Sequence, residues 1–297
     1  MNKVIPDYLL SKGIRHFSAS TGNLPTYLFV LKQYLAVEHR MVFPDATRMM
    51  GGRVVQLGLD YYRGLIDYSP IRGQQEGTDI NTAIRHALSV YQEYEPRAND
   101  NGKDKEEFEA FKDYIADMIK MANEGLTEYF NNVNQIEGEY QIFYDEPRID
   151  APIMLYQDYS GGGKQIDLKC HFPLRNPVKK DGSRSWRVPK PKTEPSDNWI
   201  RQQSVYWKAT KQKPALLSVS ATGYHIISEK NCEALTEPYL EMTYNEVVKT
   251  WEIFQNLLKA SNGSWKTLVG LVQPDMNEIA RMHGPEIVKI AKQLWEY

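Results

Sequence analysis

Cysteine is scarce in this chain, with only Cys170 and Cys232 among 297 residues. Two thiols build no disulfide scaffold and fit a reducing compartment, so a cytoplasmic protein is expected. They are also too few for a four-cysteine iron–sulfur cluster. The six histidines are scattered, and neither HExxH nor CxxC occurs, so nothing suggests zinc. No apolar run approaches the ~18 residues of a membrane helix. The opening "MNKVIPDYLLSKGIRHF" has no signal-peptide hydrophobic region. Neither charge sign dominates: 36 Lys and Arg stand against 38 Asp and Glu, a formal net charge of −2. A nucleic-acid surface would therefore have to be local. No ATP motif is visible.

What is present suffices for one large core, since 41% of the residues are hydrophobic. No convincing linker interrupts the chain, so one domain over 1–297 is expected. Its helical part is 1–134, its sheet core with a motif helix 135–230, and its C-terminal helices 231–297. Helices are predicted from about Pro25, after Asp45, after Thr78 or Asp79, and over "EEFEAFKDYIADMIKMANEGLTEYF", with a break near Gly125. The pair Gly51-Gly52 lowers helix propensity and predicts close packing. "IEGEYQIFY", "RIDAPIMLY" and "KQIDLKCHF" read as a strand meander. The helix "NWIRQQSVYWKATK" and the strands "PALLSVSA" and "GYHIIS" follow, then two C-terminal helices. The fold class is α/β, a mixed sheet flanked by helices.

The chemistry concentrates in "RIDAPIMLYQDYSGGGKQIDLKCHFP". Residues two apart on a strand share a face, so Asp167 and Lys169 project together while Ile166, Leu168 and Cys170 face the core. A tight turn at "SGGG" is expected to bring Asp150 alongside Asp167. "GGGK" lacks the GxxxxGK[ST] spacing of a phosphate loop, and a hairpin explains its glycines better. Two carboxylates suit a hard cation such as Mg²⁺ or Mn²⁺. Such an ion polarises a phosphoryl oxygen, and a lysine can offset charge on the phosphorus. The alternative is a surface hairpin with a chance Asp/Lys pair.

Two features favour the site. Gln202 and Tyr206 lie four apart on one helix face. From Arg175 to Lys192 the loop after Lys169 carries Arg175, Lys179, Lys180, Arg184, Arg187, Lys190 and Lys192 against one acid, Asp181, with Trp186 in the middle. Cations offer phosphate contacts and Trp a stacking face, so DNA contact is expected there. The alternative is a solvated loop.

The ordered set of Asp150, "IDLKC" sixteen residues on, and the Gln202/Tyr206 helix resembles the PD-(D/E)XK nuclease superfamily, in particular its phage lambda-type and RecB-like exonucleases. "FSAS" followed by "LPTYLFVLKQYL" also looks like their N-terminal segment. The resemblance spans roughly 16–230. It implies a restriction-endonuclease-like core, with Asp150, Asp167 and the Leu168 carbonyl as ligands of Mg²⁺ or Mn²⁺. Lys169 would be the catalytic lysine, and Gln202 and Tyr206 its positioning partners. The family's early GxxxE or GxxxH departs here to Gly52 and Gln56. Gln56 is either a neutral metal or water ligand or a polar residue on a packed helix. Glu137 and Glu139 could support the site. Ser18 and Ser20 could bind a phosphate or form a helix N-cap region. The implied function is a phage-encoded exonuclease acting on duplex DNA ends in the host cytoplasm, in recombination, repair or replication. A single-strand annealing or binding protein and a homo-oligomer are possible partners. An endonuclease on the same fold and an inactive DNA-binding relative are the alternatives.

Overall fold

The computed structural model describes residues 3–35, 46–65, 79–95, 103–133, 135–180, 182, 184–283 and 285–296. The predicted cap residues Asp45 and Thr78 and the loop acid Asp181 lie outside them. The chain is α/β, with mixed sheets and helices. Helix α1 (Asp7–Leu10) leads to strand β1 (Phe17–Ser18), a 3-10 turn (Ala19–Asn23), α2 (Thr26–Phe29) and a π turn (Val30–Leu35). Three helices follow: α3 (Thr47–Tyr62), α4 (Ile80–Gln92) and α5 (Lys103–Tyr129). Asp79 caps α4, accepting from the backbone N–H of Asn81 and Thr82, and so satisfies two orphan donors of the first turn.

Glycine on these helices is a matter of contact. A Cβ on Gly51 would lie 2.5 Å from Phe172, and one on Gly58 2.5 Å from Ile119. At Gly52 nothing lies within 4 Å, so the close approach belongs to Gly51 alone. α5 runs unbroken through Gly125, contrary to the predicted break. That glycine sits where a Cβ would meet Leu217 at 2.4 Å, which lets the helix lie close on the sheet.

Strands β2 (Tyr140–Tyr144), β3 (Ile153–Gln157), β4 (Tyr159–Gly161) and β5 (Lys164–Cys170) form the meander. Short strands β6 (Leu174–Arg175) and β7 (Trp186–Arg187) make a separate ribbon. Helix α6 (Asp197–Thr210) then precedes β8 (Lys213–Ser220) and β9 (Gly223–Ser228). One sheet is ordered β1-β3-β2 and a second β4-β5-β8-β9, with β5 and β8 parallel. The C-terminal third holds α7 (Glu237–Ala260), α8 (Trp265–Leu271), α9 (Met276–Met282) and α10 (Pro285–Trp295). α8 and α9 fall in a stretch where the sequence suggested no element. Each is only 7 residues long, with a side-chain cap from Ser264 or Asp275 as its signal.

Among the described residues, apolar faces sort into two large cores and a smaller third around Trp207 and Leu240. One gathers β1, the inner face of β2 and β3, and α7 with its followers around Trp251 and Phe254. The other packs α3, α4 and α5 on Ile166, Leu217 and Val219 of the second sheet. Among the described residues, no helix is long and apolar enough to cross a membrane.

Candidate active site

The glycine hairpin sets the site. Gly161 pairs with Lys164, leaving Gly162 (φ +56°) and Gly163 (φ +72°) as a two-residue turn. Both angles lie in the left-handed region that a tight hairpin requires and that side chains other than glycine's rarely adopt. Outward from the turn, Ser160 pairs with Gln165 and Tyr159 with Ile166. One step further the same register sets Asp158 across from Asp167. There the strand bends away from β5, and the Asp158 carboxylate accepts the Leu168 N–H at 2.8 Å. Asp158 thus lies in a fork between the two sheets.

β2 extends the row. The Glu137–Ser160 bridge continues the register of β2 on β3, so Glu139 stands opposite Asp158. Extending both registers by one step therefore lines up Glu139 just before β2, Asp158 between β3 and β4, and Asp167 on β5. Asp167 is buried. Its Oδ2 atom forms an ion pair with the Lys169 ammonium yet accepts no well-directed hydrogen bond. Burial, then the Asp167 charge, hold the Asp158 carboxyl well above the usual carboxylate range, partly offset by Lys169 and the Leu168 N–H. Glu139 is exposed and turns toward α3, accepting from Gln56 Nε2 at 3.2 Å. Among the described residues, no three His, Cys, Asp or Glu side chains form a ready metal-holding group.

α6 completes the cluster. Lys169 Nζ donates to Gln202 Oε1 at 2.9 Å, and Gln202 Nε2 donates to the Tyr206 hydroxyl at 2.8 Å. The spacing of four places both side chains on one helical face, as the sequence predicts. Burial, with the Asp167 and Asp158 charges, pushes the Tyr206 phenol well up, so it stays a neutral anchor. Ile166, Leu168 and Cys170 point to the core, also as predicted. Desolvation pushes the half-buried Cys170 thiol up to about 12, which makes it a packing residue.

Asp150 does not join them. "RID" forms a turn ahead of β3, not a strand. The Asp150 carboxylate accepts the Tyr8 hydroxyl at 2.6 Å and meets Lys259 Nζ at 2.7 Å. Burial would raise its pKa, but these partners hold it below the usual value. The second acid beside Asp167 is Asp158, eight residues downstream. The glycine turn carried the signal: counting outward from Gly162-Gly163 pairs Asp158 with Asp167. Gln56 touches Glu139 and not the buried acids.

The basic loop divides. Arg175 and Arg184 both pair with Glu106 of α5, at 2.8 and 3.1 Å. Lys192 lies over the Trp199 ring at 4.9 Å. Lys179, Lys180, Arg187 and Lys190 are exposed. Trp186 is not a free stacking face: it packs edge-on to Phe111 with ring centres 6.2 Å apart. Ser18 makes no cap hydrogen bond from its side chain to the 3-10 turn. The Ser18 and Ser20 hydroxyls bond one another at 3.0 Å.

The chain matches no family model, no curated protein and no solved structure.

Proposed function

We propose that the protein is a divalent-metal-dependent deoxyribonuclease on a restriction-endonuclease-like core, an exonuclease working from DNA ends. The observation that carries this reading is the fork that sets Asp158 beside Asp167 and hands Lys169 to Gln202 at 2.9 Å. Two adjacent carboxylates, Asp167 buried and Asp158 half-buried, repel each other, and the Lys169 ammonium at Asp167 Oδ2 offsets that charge only in part. Their hard oxygen donors suit Mg²⁺ or Mn²⁺. Asp158, Asp167 and the Leu168 carbonyl would hold the ion. When bound, it supplies polarisation of a phosphoryl oxygen and a more acidic water.

The chain's own residues supply the rest. Lys169 sets positive charge where negative charge gathers on the phosphorus. Gln202 fixes the ammonium in place, and the Tyr206 hydroxyl fixes Gln202. The exposed Lys179, Lys180, Arg187 and Lys190 offer phosphate contacts that fall off with salt.

The test is digestion of 5′- and 3′-labelled linear duplex with Mg²⁺ or Mn²⁺, beside a covalently closed circle and the Lys169→Ala and Asp167→Ala proteins. Loss of label from the linear substrate only, absent in both variants, is the expected result. A cut circle makes the protein an endonuclease. DNA binding with no metal-dependent cleavage would leave a binding protein.

A further inference from the structure

The row of acids continues into an open aromatic strip. Residues two apart on a strand share a face, so Gln141 and Phe143 line one face of β2, just beyond Glu139, and Met154 and Tyr156 the same face of β3. The register sets Gln141 across from Tyr156 and Phe143 across from Met154, directly beyond the Glu139–Asp158 position. The opposite face is packed in the core. On the open face Phe143 is 57% exposed and Tyr156 41%. These rings are diagonal neighbours, about 7–8 Å apart between backbones, comparable to the rise of one extended nucleotide.

The strip is braced. Gln141 Nε2 donates to the Tyr156 hydroxyl at 2.9 Å. The His16 ring stands edge-on to Phe143, centres 6.4 Å apart. A held ring loses little freedom when a flat partner lies on it. At the sheet edge a second copy of the chain fits poorly. Antiparallel self-pairing of the edge strand β2 about its middle residue, Ile142, would set Glu139 across from Asp145, like charges in opposition.

We infer that Tyr156 and Phe143 form a stacking platform for an unpaired nucleic-acid strand running to or from the acid fork. The inference rests on the proposed nuclease reading for its direction and names the substrate form at that site: separated bases, stacked on rings, beside the scissile phosphate. Every base offers a π-face, so such a platform tolerates any sequence.

The test uses the full chain in EDTA, with fluorescence anisotropy of a labelled oligothymidylate of about twelve nucleotides and a labelled blunt hairpin duplex. Phe143→Ala and Tyr156→Ala are each expected to weaken oligothymidylate binding roughly tenfold and duplex binding less. Phe143→Tyr and Tyr156→Phe are expected to restore it. Both rings lie at the surface, so melting temperatures should hold. Alanine variants that bind like wild type, or a wild type that does not bind the oligonucleotide, would overturn the inference. So would a dimer that dissociates in the alanine variants while oligonucleotide binding is unchanged, because the face would then be a self-interface. Ring-dependent binding without cleavage would sink the nuclease reading and keep the platform. Cleavage with no ring dependence would do the reverse.

Discussion

Replacing Asp158 with Asn tests which of two aspartates, Asp158 or Asp150, serves the proposed metal site. Asn keeps a side-chain oxygen to accept the Leu168 N–H, now at 2.8 Å, so the fork should hold its shape. What matters is the charge the carboxylate would carry against a bound cation, which Asn cannot supply. Unit charges about 4 Å apart interact by about 4 kcal/mol at the effective dielectric of a protein site, and a divalent ion feels more. Cation affinity and metal-dependent cleavage should therefore fall by about a thousandfold. Asp150→Asn loses only the partly exposed pairing with Lys259 and Tyr8. Surface ion pairs contribute about 1 kcal/mol or less, so a small drop in melting temperature and unchanged cleavage are expected. The assay pairs calorimetric Mn²⁺ titration with digestion of end-labelled duplex. An Asp150→Asn protein that is inert beside an active Asp158→Asn protein would refute the assignment.

Gln202→Ala unties Lys169 from Tyr206, and single-turnover cleavage should slow by about ten- to a hundredfold with little change in DNA affinity. Asp60, buried on α3, has its carboxyl raised to about 7, by burial first and by Glu139 next, against Tyr159 and Arg63. A raised acid holds its proton more tightly when folded, so its stability contribution is full below about pH 4 and fades as pH rises through about 7. Urea unfolding of the metal-free protein should lose about 4 kcal/mol from this group across that window, and Asp60→Asn should flatten the loss. Trp251→Ala empties a fully buried site stacked on Phe17 at 5.7 Å, and chemical denaturation should show a loss of about 3–5 kcal/mol. Gly125→Ala improves helix propensity by about 1 kcal/mol but drives a Cβ to 2.4 Å from Leu217. Overpacking should win, lowering stability by about 1–2 kcal/mol.

Much of the frame was legible because periodicity and turn chemistry are local. The alternation in "KQIDLKC" placed Asp167 and Lys169 together and their neighbours inward. The spacing of Gln202 and Tyr206 predicted one helix face, and it now carries the chain of bonds to Lys169. The glycine hairpin is legible too, but "RIDAPIMLY" reads as one strand and points to Asp150, while the register that selects Asp158 follows only from counting pairs out of the turn. The partners of Arg175, Arg184 and Trp186 were not legible, because Glu106 and Phe111 are distant in sequence and join them only by packing. Gly125 looked like a helix breaker because what presses on it, Leu217, belongs to another element. The short C-terminal helices escaped because each is too brief to show a period.

β3 and β4 belong to different sheets, and the one residue that parts them is Asp158. Length is therefore more constrained there than chemistry. Adding or deleting one residue between Tyr156 and Gly163 would turn the downstream side chains over and send Asp158 or its counterpart to the wrong side, a change no side-chain swap could repair. The few residues around the glycine turn would have to keep their number.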